Sequence, residues 1–371
     1  MNEQSSCSDE VPQILEGSFD LDKRRQHVRS TLKSYLLEHS PEFQTLSQRR
    51  EQGWRHPAGD TCFSKKRKSS DKASSKDRSI FRTQLKHIGT WLHACTGVFR
   101  LPGIGTTAES PTILDMCMAP GAFLEIALKK DKKATAAAFT LPEEAGGFRV
   151  ILPEDIQARV NTRFLDINML ATDMGIDEIE DSHPDAGKFL PTQFKPDEHF
   201  DLVICDGQVL RAHARAPYRE AREASRLTIA QLALGLEHLK PGGSMLVLLH
   251  NFERWEPLNT VWRFSKFARV RLLKPRIVHA KSSTFYMVAS NIQSQSAEAL
   301  SAVARWKKLW RAITFGSDQE YRSMLFEEEP AVEEFLDDFG PEIIRLGATV
   351  WQVQRDALGE WLEVLDRRRE L

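Results

Sequence analysis

Apolar positions divide this chain into segments of different period. Over residues 20–50, Val28, Leu32, Leu36 and Leu37 recur at helical spacing, which predicts an amphipathic helix with one buried stripe. Residues 51–78 lose that period and are rich in Gly, Ser, Lys and Asp, the composition of a mobile linker. From Thr112 onward, short apolar runs alternate with helical stretches. Strands are predicted over 111–118, 134–141, 160–167, 200–206, 244–250, 270–277 and 284–290, and helices over 121–130, 218–239 and 257–267. Pro241-Gly242-Gly243 reads as the turn from helix to strand. Strands alternating with helices imply an α/β fold, a doubly wound and mostly parallel sheet covered on both faces. The last two strands are joined by a segment too short for a crossover helix, so they are expected to pair antiparallel. Beyond Asn291 the period is helical again, with Ala299, Val303, Trp306, Leu309 and Trp310 on one face and Val350, Val353, Leu358, Trp361 and Leu365 on another. The expected organisation is an N-terminal helical arm and basic linker (1–80), a sheet domain (81–291) and a C-terminal helical extension (292–371).

Composition narrows the function classes. A hydrophobic fraction of 41% with 28% charged residues suits a soluble globular chain. The formal net charge of -1 gives no global attraction to nucleic acid, so any such binding must come from local basic patches. No apolar run approaches the roughly 20 residues of a membrane span, and the polar N-terminus lacks a signal-peptide core. Cys7, Cys62, Cys95, Cys117 and Cys205 are scattered, without CxxC spacing. Neither a metal site nor a disulfide framework is expected, and a reducing intracellular compartment, nuclear or cytoplasmic, is. Lys65-Lys66-Arg67-Lys68 reads as a nuclear import signal or an RNA-touching arm, against the alternative of a solvated linker.

The strongest local chemistry lies where the first strand meets the first helix, at Asp115-Met-Cys-Met-Ala-Pro-Gly-Ala-Phe. A nucleotide-binding α/β sheet holds its ligand beyond the carboxyl ends of its strands. A glycine in that turn lets backbone approach where a Cβ would collide. The dinucleotide pattern GxGxxG is absent, which argues against pyrophosphate binding. A ligand with a carboxylate and an ammonium, such as the methionine part of S-adenosylmethionine (SAM), suits a turn with fewer glycines.

Together with this turn, Phe200-Asp-Leu-Val-Ile-Cys-Asp-Gly, Leu239-Lys-Pro-Gly-Gly-Ser-Met-Leu-Val and the stretch from Leu273-Lys-Pro-Arg through Ser282-Ser-Thr-Phe-Tyr-Met-Val resemble the FtsJ-like family of RNA 2′-O-ribose methyltransferases over roughly residues 80–291. The resemblance implies a Rossmann-like SAM-binding fold with a seventh, antiparallel strand, and RNA as the methyl acceptor. It implies that Asp115 and the turn Ala119, Pro120, Gly121, Ala122 and Phe123 line the methionine end of SAM. Asp166, ending the third strand, would accept from the adenine amino group, and Asp206, ending the fourth, would lie near the reactive methyl. The ribose hydroxyls are usually held by an acid after the second strand, for which Glu143 is the substitute here.

The same family is similar in a Lys-Asp-Lys-Glu tetrad that positions a ribose hydroxyl and eases its deprotonation. Asp206 matches the Asp and Lys86 is the candidate first Lys, but the second Lys falls on Leu248 and the Glu on Thr284. Leu248 and His250 share a strand face by alternation, so His250 is the candidate replacement base, and Lys281 a candidate source of positive charge. Two basic clusters, Arg211, Arg215, Arg219 and Arg222, and Lys274, Arg276, His279 and Lys281, are expected to flank the pocket and meet RNA phosphates. Loss of the tetrad Lys and Glu leaves two other readings open: a catalytically degenerate SAM-fold module that binds RNA or protein, and a methyltransferase acting on a different acceptor.

Overall fold

The computed structural model describes residues 13–57, 75–101, 110–210, 213 and 215–367. The basic tract at 65–68 and Arg211 lie outside the described residues. In chain order the helices are Gln13–His39 (α1), Pro41–Arg55 (α2), Ser75–Thr96 (α3), Ala122–Lys130 (α4), Glu154–Gln157 (α5), Glu223–Glu237 (α6), Trp255–Ser265 (α7), Ala297–Phe315 (α8), Asp318–Met324 (α9) and Val332–Arg367 (α10). The strands are Thr112–Asp115 (β1), Thr135–Thr140 (β2), Val160–Phe164 (β3), Phe200–Cys205 (β4), Leu239–His250 (β5), Arg269–Leu273 (β6) and Thr284–Ile292 (β7).

The strands form one sheet in the order β3-β2-β1-β4-β5-β7-β6. β1 to β5 run parallel, and β7 lies antiparallel between β5 and β6. This is the Rossmann-like fold of SAM-dependent methyltransferases. The order reverses between β1 and β4, whose carboxyl ends therefore border the crevice where such sheets bind ligands.

Side-chain alternation sends the two faces of each strand into different cores. From β5, Met245, Val247 and Leu249 join one apolar cluster, while Leu246 and Leu248 join the other; β7 divides in the same way, with Phe285 and Met287 opposed to Tyr286 and Val288. The second face is covered by α3 and α4 through Leu85, Ile88, Leu92, Leu124 and Leu128. The first is covered by α6, α7 and α8, and by the N-terminal pair α1 and α2 interleaved with α10.

Several boundaries depart from the sequence expectations. The single N-terminal helix predicted over 20–50 is two helices, divided at Ser40, whose Oγ accepts from Phe43 N at 3.1 Å while Pro41 opens α2. Both choices are physical start signals for a new helix. The expected linker is shorter than 51–78, because α2 continues to Arg55 and α3 begins at Ser75. Pro241-Gly242-Gly243 does not end the helix in a separate turn. It lies within β5, where Phe200 pairs with Leu239 and the register then shifts before Leu202 meets Ser244, with Gly242 at φ +84°. β3 and β6 end several residues early, since Ile167 begins a 3₁₀ turn and Lys274 leaves the ladder.

The N- and C-terminal helices lock across an aromatic contact, with Phe43 of α2 edge-on to Trp351 of α10 at 5.3 Å. Arg50 extends the junction, bonding Glu253 at 2.6 Å and Gln354 at 2.8 Å. Both rings are buried. Phe43→Ala is therefore expected to lower the unfolding free energy by about 3–5 kcal/mol. Urea unfolding should show an earlier midpoint at an unchanged slope, and a loss under about 1 kcal/mol would show that α2 does not belong to the common core.

Candidate active site

The turn after β1 is built by backbone pairing. Met116 N donates to Ile204 O at 3.2 Å and Met118 N to Phe139 O at 3.0 Å, which draws the turn between β4 and β2. Gly121 takes φ +97° as the N-cap of α4, and a Cβ there would meet Leu152 at 2.6 Å. On the far side Gly207 packs against Cys117 Sγ, leaving no room for a Cβ, and its N–H bonds Gln231 Oε1 at 2.9 Å. Between these turns opens a cleft of about 1220 Å³, counting its open mouth. Asp115, Ala119, Pro120, Ala122, Phe123, Asp166 and Asp206 all line it, while Gly121 shapes the turn from behind.

At the β1–β4 end of the cleft the electrostatics are set by the carboxyls of Asp115 and Asp206. Asp115 is buried and its pKa is pushed up to about 7 by loss of solvent, against the opposing hydrogen bond from Cys117 N. Asp206 is raised well above the usual carboxylate range by burial first and by the Asp115 charge second, with the nearby Tyr286 hydroxyl opposing. Burial and the same carboxylate hold the Tyr286 hydroxyl well above its ordinary value. The thiols of Cys117 and Cys205 are likewise pushed up by burial and surrounding acids. Arg215 is the basic side chain on the described wall, and it is bonded to Leu210 O, His213 O and Glu220. Two buried oxygens, Asn168 Oδ1 and Tyr286 Oη, meet no well-formed hydrogen bond. This donor set suits a ligand carrying positive charge beside Asp115 and Asp206, and N–H donors near Asp166 and Asn168.

Other predicted residues are placed elsewhere. Lys86 does not reach the cleft: its Nζ bonds Glu125 Oε1 at 2.7 Å, alongside Lys129 at 2.7 Å and Arg82. Glu125 is only 1% exposed, and it needs those cations. Burial alone would raise its pKa, but bonds from Lys129 and Lys86 and the Arg82 charge hold it below the ordinary value. Glu143 sits exposed on a 3₁₀ turn and does not line the cleft, where Thr140, Leu141 and Gly147 take that wall. His250 is also outside. Its Nδ1 lies 3.1 Å from Thr284 Oγ1, directly across the β5–β7 pair. Lys281 is exposed and outside the lining as well.

Most of the two basic clusters is consumed by structure. Arg219 is buried between Asp185 at 2.9 Å and Glu223, and Arg222 bonds Asp318 and Gly316 O at 3.2 Å each. Lys274 is 1% exposed, and its ammonium bonds the carbonyls of His279 at 3.0 Å, Ser282 at 2.6 Å and Thr284 at 2.7 Å. Burial, with Arg50 adding and Glu253 opposing, lowers its pKa to about 7. Arg276 and Lys281 remain exposed.

Tyr286 is the wall residue that sequence reasoning missed. It pairs directly with Leu248, so it shares that residue's face, two positions beyond Thr284. The alternation that placed His250 with Leu248 applies equally to Tyr286 once the β5–β7 register is known. Asn168 and Glu223 were also missed. Asn168 Nδ2 donates to Glu223 Oε1 at 3.0 Å, which turns its carbonyl oxygen away from Glu223, and no local sequence pattern joins residues so far apart. Among the described residues there is no cluster of three or more metal-type ligands, and no helix is long and apolar enough to cross a membrane.

A family model described as FtsJ-like methyltransferase matches residues 96–292, more than half of the chain. No curated protein matches it. Among solved structures, an O-methyltransferase family protein from Burkholderia thailandensis is similar at 14% identity and TM-score 0.33, covering 61% of this chain and 63% of its own. This chain thus spans a little under two thirds of that protein. An rRNA methylase from Streptococcus thermophilus is similar at 12% identity and TM-score 0.27 over 50% of this chain and 88% of its own. A TehB-like SAM-dependent methyltransferase from Corynebacterium glutamicum is similar at 13% and TM-score 0.28 over 57% and 98%.

Two outcomes follow from the charges. Glu125→Gln should cost about 3 kcal/mol by leaving its cations uncompensated. Lys86→Met should cost under about 1 kcal/mol, because Arg82 and Lys129 remain; a large loss for Lys86→Met with a silent Glu125→Gln would overturn the ion-cluster role. For Asp115, the folded chain keeps a proton that the unfolded chain releases at its ordinary pKa of 3.8. Stability from this group is complete below that value and is lost as pH rises to about 7. Thermal melts of the ligand-free protein should fall across that window, and Asp115→Asn should flatten the fall.

Proposed function

This chain belongs to the FtsJ-like methyltransferase family, and we propose that it transfers a methyl group from SAM to a ribose 2′-hydroxyl of RNA. The observation that carries the SAM half is the pair of carboxyls, buried Asp115 and half-buried Asp206, at the adjacent ends of β1 and β4, with no basic side chain among the described residues against them. A methyl sulfonium and an α-ammonium are the positive charges that would satisfy them. In this reading Asp115 and the Ala119–Pro120 turn hold the methionine end. Asp166 and the unsatisfied Oδ1 of Asn168 accept from the adenine amino group, with Ile167 and Leu227 against the ring faces. Thr140 and Leu141 border the ribose in place of Glu143.

When bound, SAM supplies an electrophilic methyl group beside Asp206. The protein's own work is positioning and desolvation. Asp206 orients the acceptor hydroxyl from one side, and Tyr286, held against it, closes the pocket floor and keeps water out. Phe123 packs edge-on to Tyr286 at 5.8 Å and fixes the ring. RNA as acceptor rests on the family and on the exposed Arg276 and Lys281 of the β6–β7 loop, beside the cleft wall at His279. The second reading is a SAM-fold module without catalysis. It is favoured by one observation: Leu248, where the family keeps a lysine, is buried in the apolar core.

Calorimetric titration with SAM tests the binding half. The bound cation requires ionised Asp115, so binding at pH 6 should release about one proton, and affinity should weaken about tenfold from pH 8 to pH 6. Binding without proton release would refute the carboxylate pair as the cation site. Transfer of labelled methyl from SAM to total RNA, but not to protein, tests the acceptor. SAM binding with no labelled RNA would favour the non-catalytic module.

A further inference from the structure

Resting on that reading, the remaining question is where the hydroxyl's proton goes, since the family's lysine position holds Leu248. The cleft wall offers few acceptors. Asp206 is paired with the sulfonium in that reading, the Tyr286 hydroxyl is held protonated by burial and by the Asp206 charge, and burial with the surrounding acids does the same to the Cys117 thiol. Asp115 faces the cofactor's positive charge. Asp166 caps the turn at Asn168 N, and Glu223 is tied to Arg219 and Asn168. His213 accepts from Leu210 N at 3.3 Å and lies near enough to Asp166 to feel its charge, which places it at the adenine end. His250, Lys86 and Lys274 lie off the wall altogether.

His279 lies on the acceptor side. It lines the cleft, and its ring stands edge-on to Tyr286 with centroids 6.3 Å apart, which brings it to the wall that carries Asp206. Its backbone is fastened: the His279 carbonyl accepts from Lys274 Nζ at 3.0 Å and from Ser282 Oγ at 3.1 Å. The buried ammonium of Lys274 thus ties three carbonyls of the β6–β7 loop into one fixed bend, with His279 at its turn toward the cleft. An imidazole ordinarily titrates near neutral pH and accepts a proton without a net change of fold.

We propose that His279 is the general base of this enzyme, taking the proton of the acceptor ribose 2′-hydroxyl on a ring nitrogen. The oxygen–methyl bond forms as the sulfonium's sulfur–methyl bond breaks. The electron pair stays on sulfur, and the proton leaves oxygen for the imidazole, which passes it to solvent at the cleft mouth. The lost lysine of β5 is replaced by a base from the neighbouring loop.

The test compares the full-length parent with His279→Ala. The variant should bind SAM as the parent does by calorimetry and melt at the same temperature, while kcat on RNA falls about a hundredfold or more. Added imidazole should restore part of that loss in the variant and leave the parent unchanged. A readout independent of turnover is the histidine ring signal in nitrogen-15 NMR with S-adenosylhomocysteine present. A ribo-oligonucleotide should shift the His279 titration, and its 2′-deoxy counterpart should not. A variant whose kcat stays within about threefold of the parent, a kcat loss that imidazole does not relieve, or equal NMR responses to the two oligonucleotides would each overturn the assignment while leaving the RNA reading intact. A parent that labels no RNA would defeat the RNA reading itself, and the base assignment with it.

Discussion

Placing buried Asp115 and half-buried Asp206 together at the ends of two adjacent parallel strands carries an electrostatic cost that no cation among the described residues offsets. Loss of water disfavours both charges, and each charge disfavours the other. The free protein meets this by favouring the protonated forms, with the Asp115 pKa pushed up to about 7 and that of Asp206 raised well above the usual carboxylate range. The fold enforces the arrangement. β1 and β4 are central strands covered on both faces, so their terminal side chains have nowhere wetter to go. The cleft is thus a place where a cationic ligand gains what solvent has lost, and binding is linked to proton release.

Positive charge has been spent elsewhere in the structure. Arg82, Lys86 and Lys129 converge on Glu125. Arg219 and Arg226 are buried with Asp185, Glu223 and the Asn168 carbonyl, and Lys274 holds loop carbonyls. These cations are components of the frame around the cleft. They fix α3 against α4, the 3₁₀ turn after β3 against α6, and the bend between β6 and β7. Of the described residues of the two clusters, Arg276 and Lys281 remain exposed, fewer cations than the sequence clusters imply.

The sheet was legible in the sequence because its strands are short apolar runs between turn residues, a signal that needs no tertiary information. The acids Asp115, Asp166 and Asp206 were legible for the same reason, being strand ends in a fold whose ligand edge is known once parallel order is inferred. Lys86, Glu143 and His250 lie off the cleft wall, and their positions depend on distant partners. Lys86 is directed by Glu125 on another helix, Glu143 by a turn that carries it to solvent, and His250 by Thr284 across a ladder. Charge clusters misled for a related reason: a long side chain's sequence neighbours say little about which carboxylate or carbonyl it meets. Tyr286 needed only the strand register, which is the one piece of the sheet that periodicity alone leaves free.

The loss of the family's lysine changes the site's charge state as well as its base. With Leu248 in that position and apolar, Asp206 has no resident cation among the described residues, and burial and the Asp115 charge hold its pKa above the usual carboxylate range. A lysine there would ionise Asp206 permanently and leave an ion pair within the cleft. A cation bound beside Asp206 would favour its carboxylate form and make that wall polar. The base proposed at His279 is carried on a loop rather than on the sheet. Leu248 pairs with Tyr286, whose ring Phe123 meets edge-on, so the pocket floor holds without a charge to solvate.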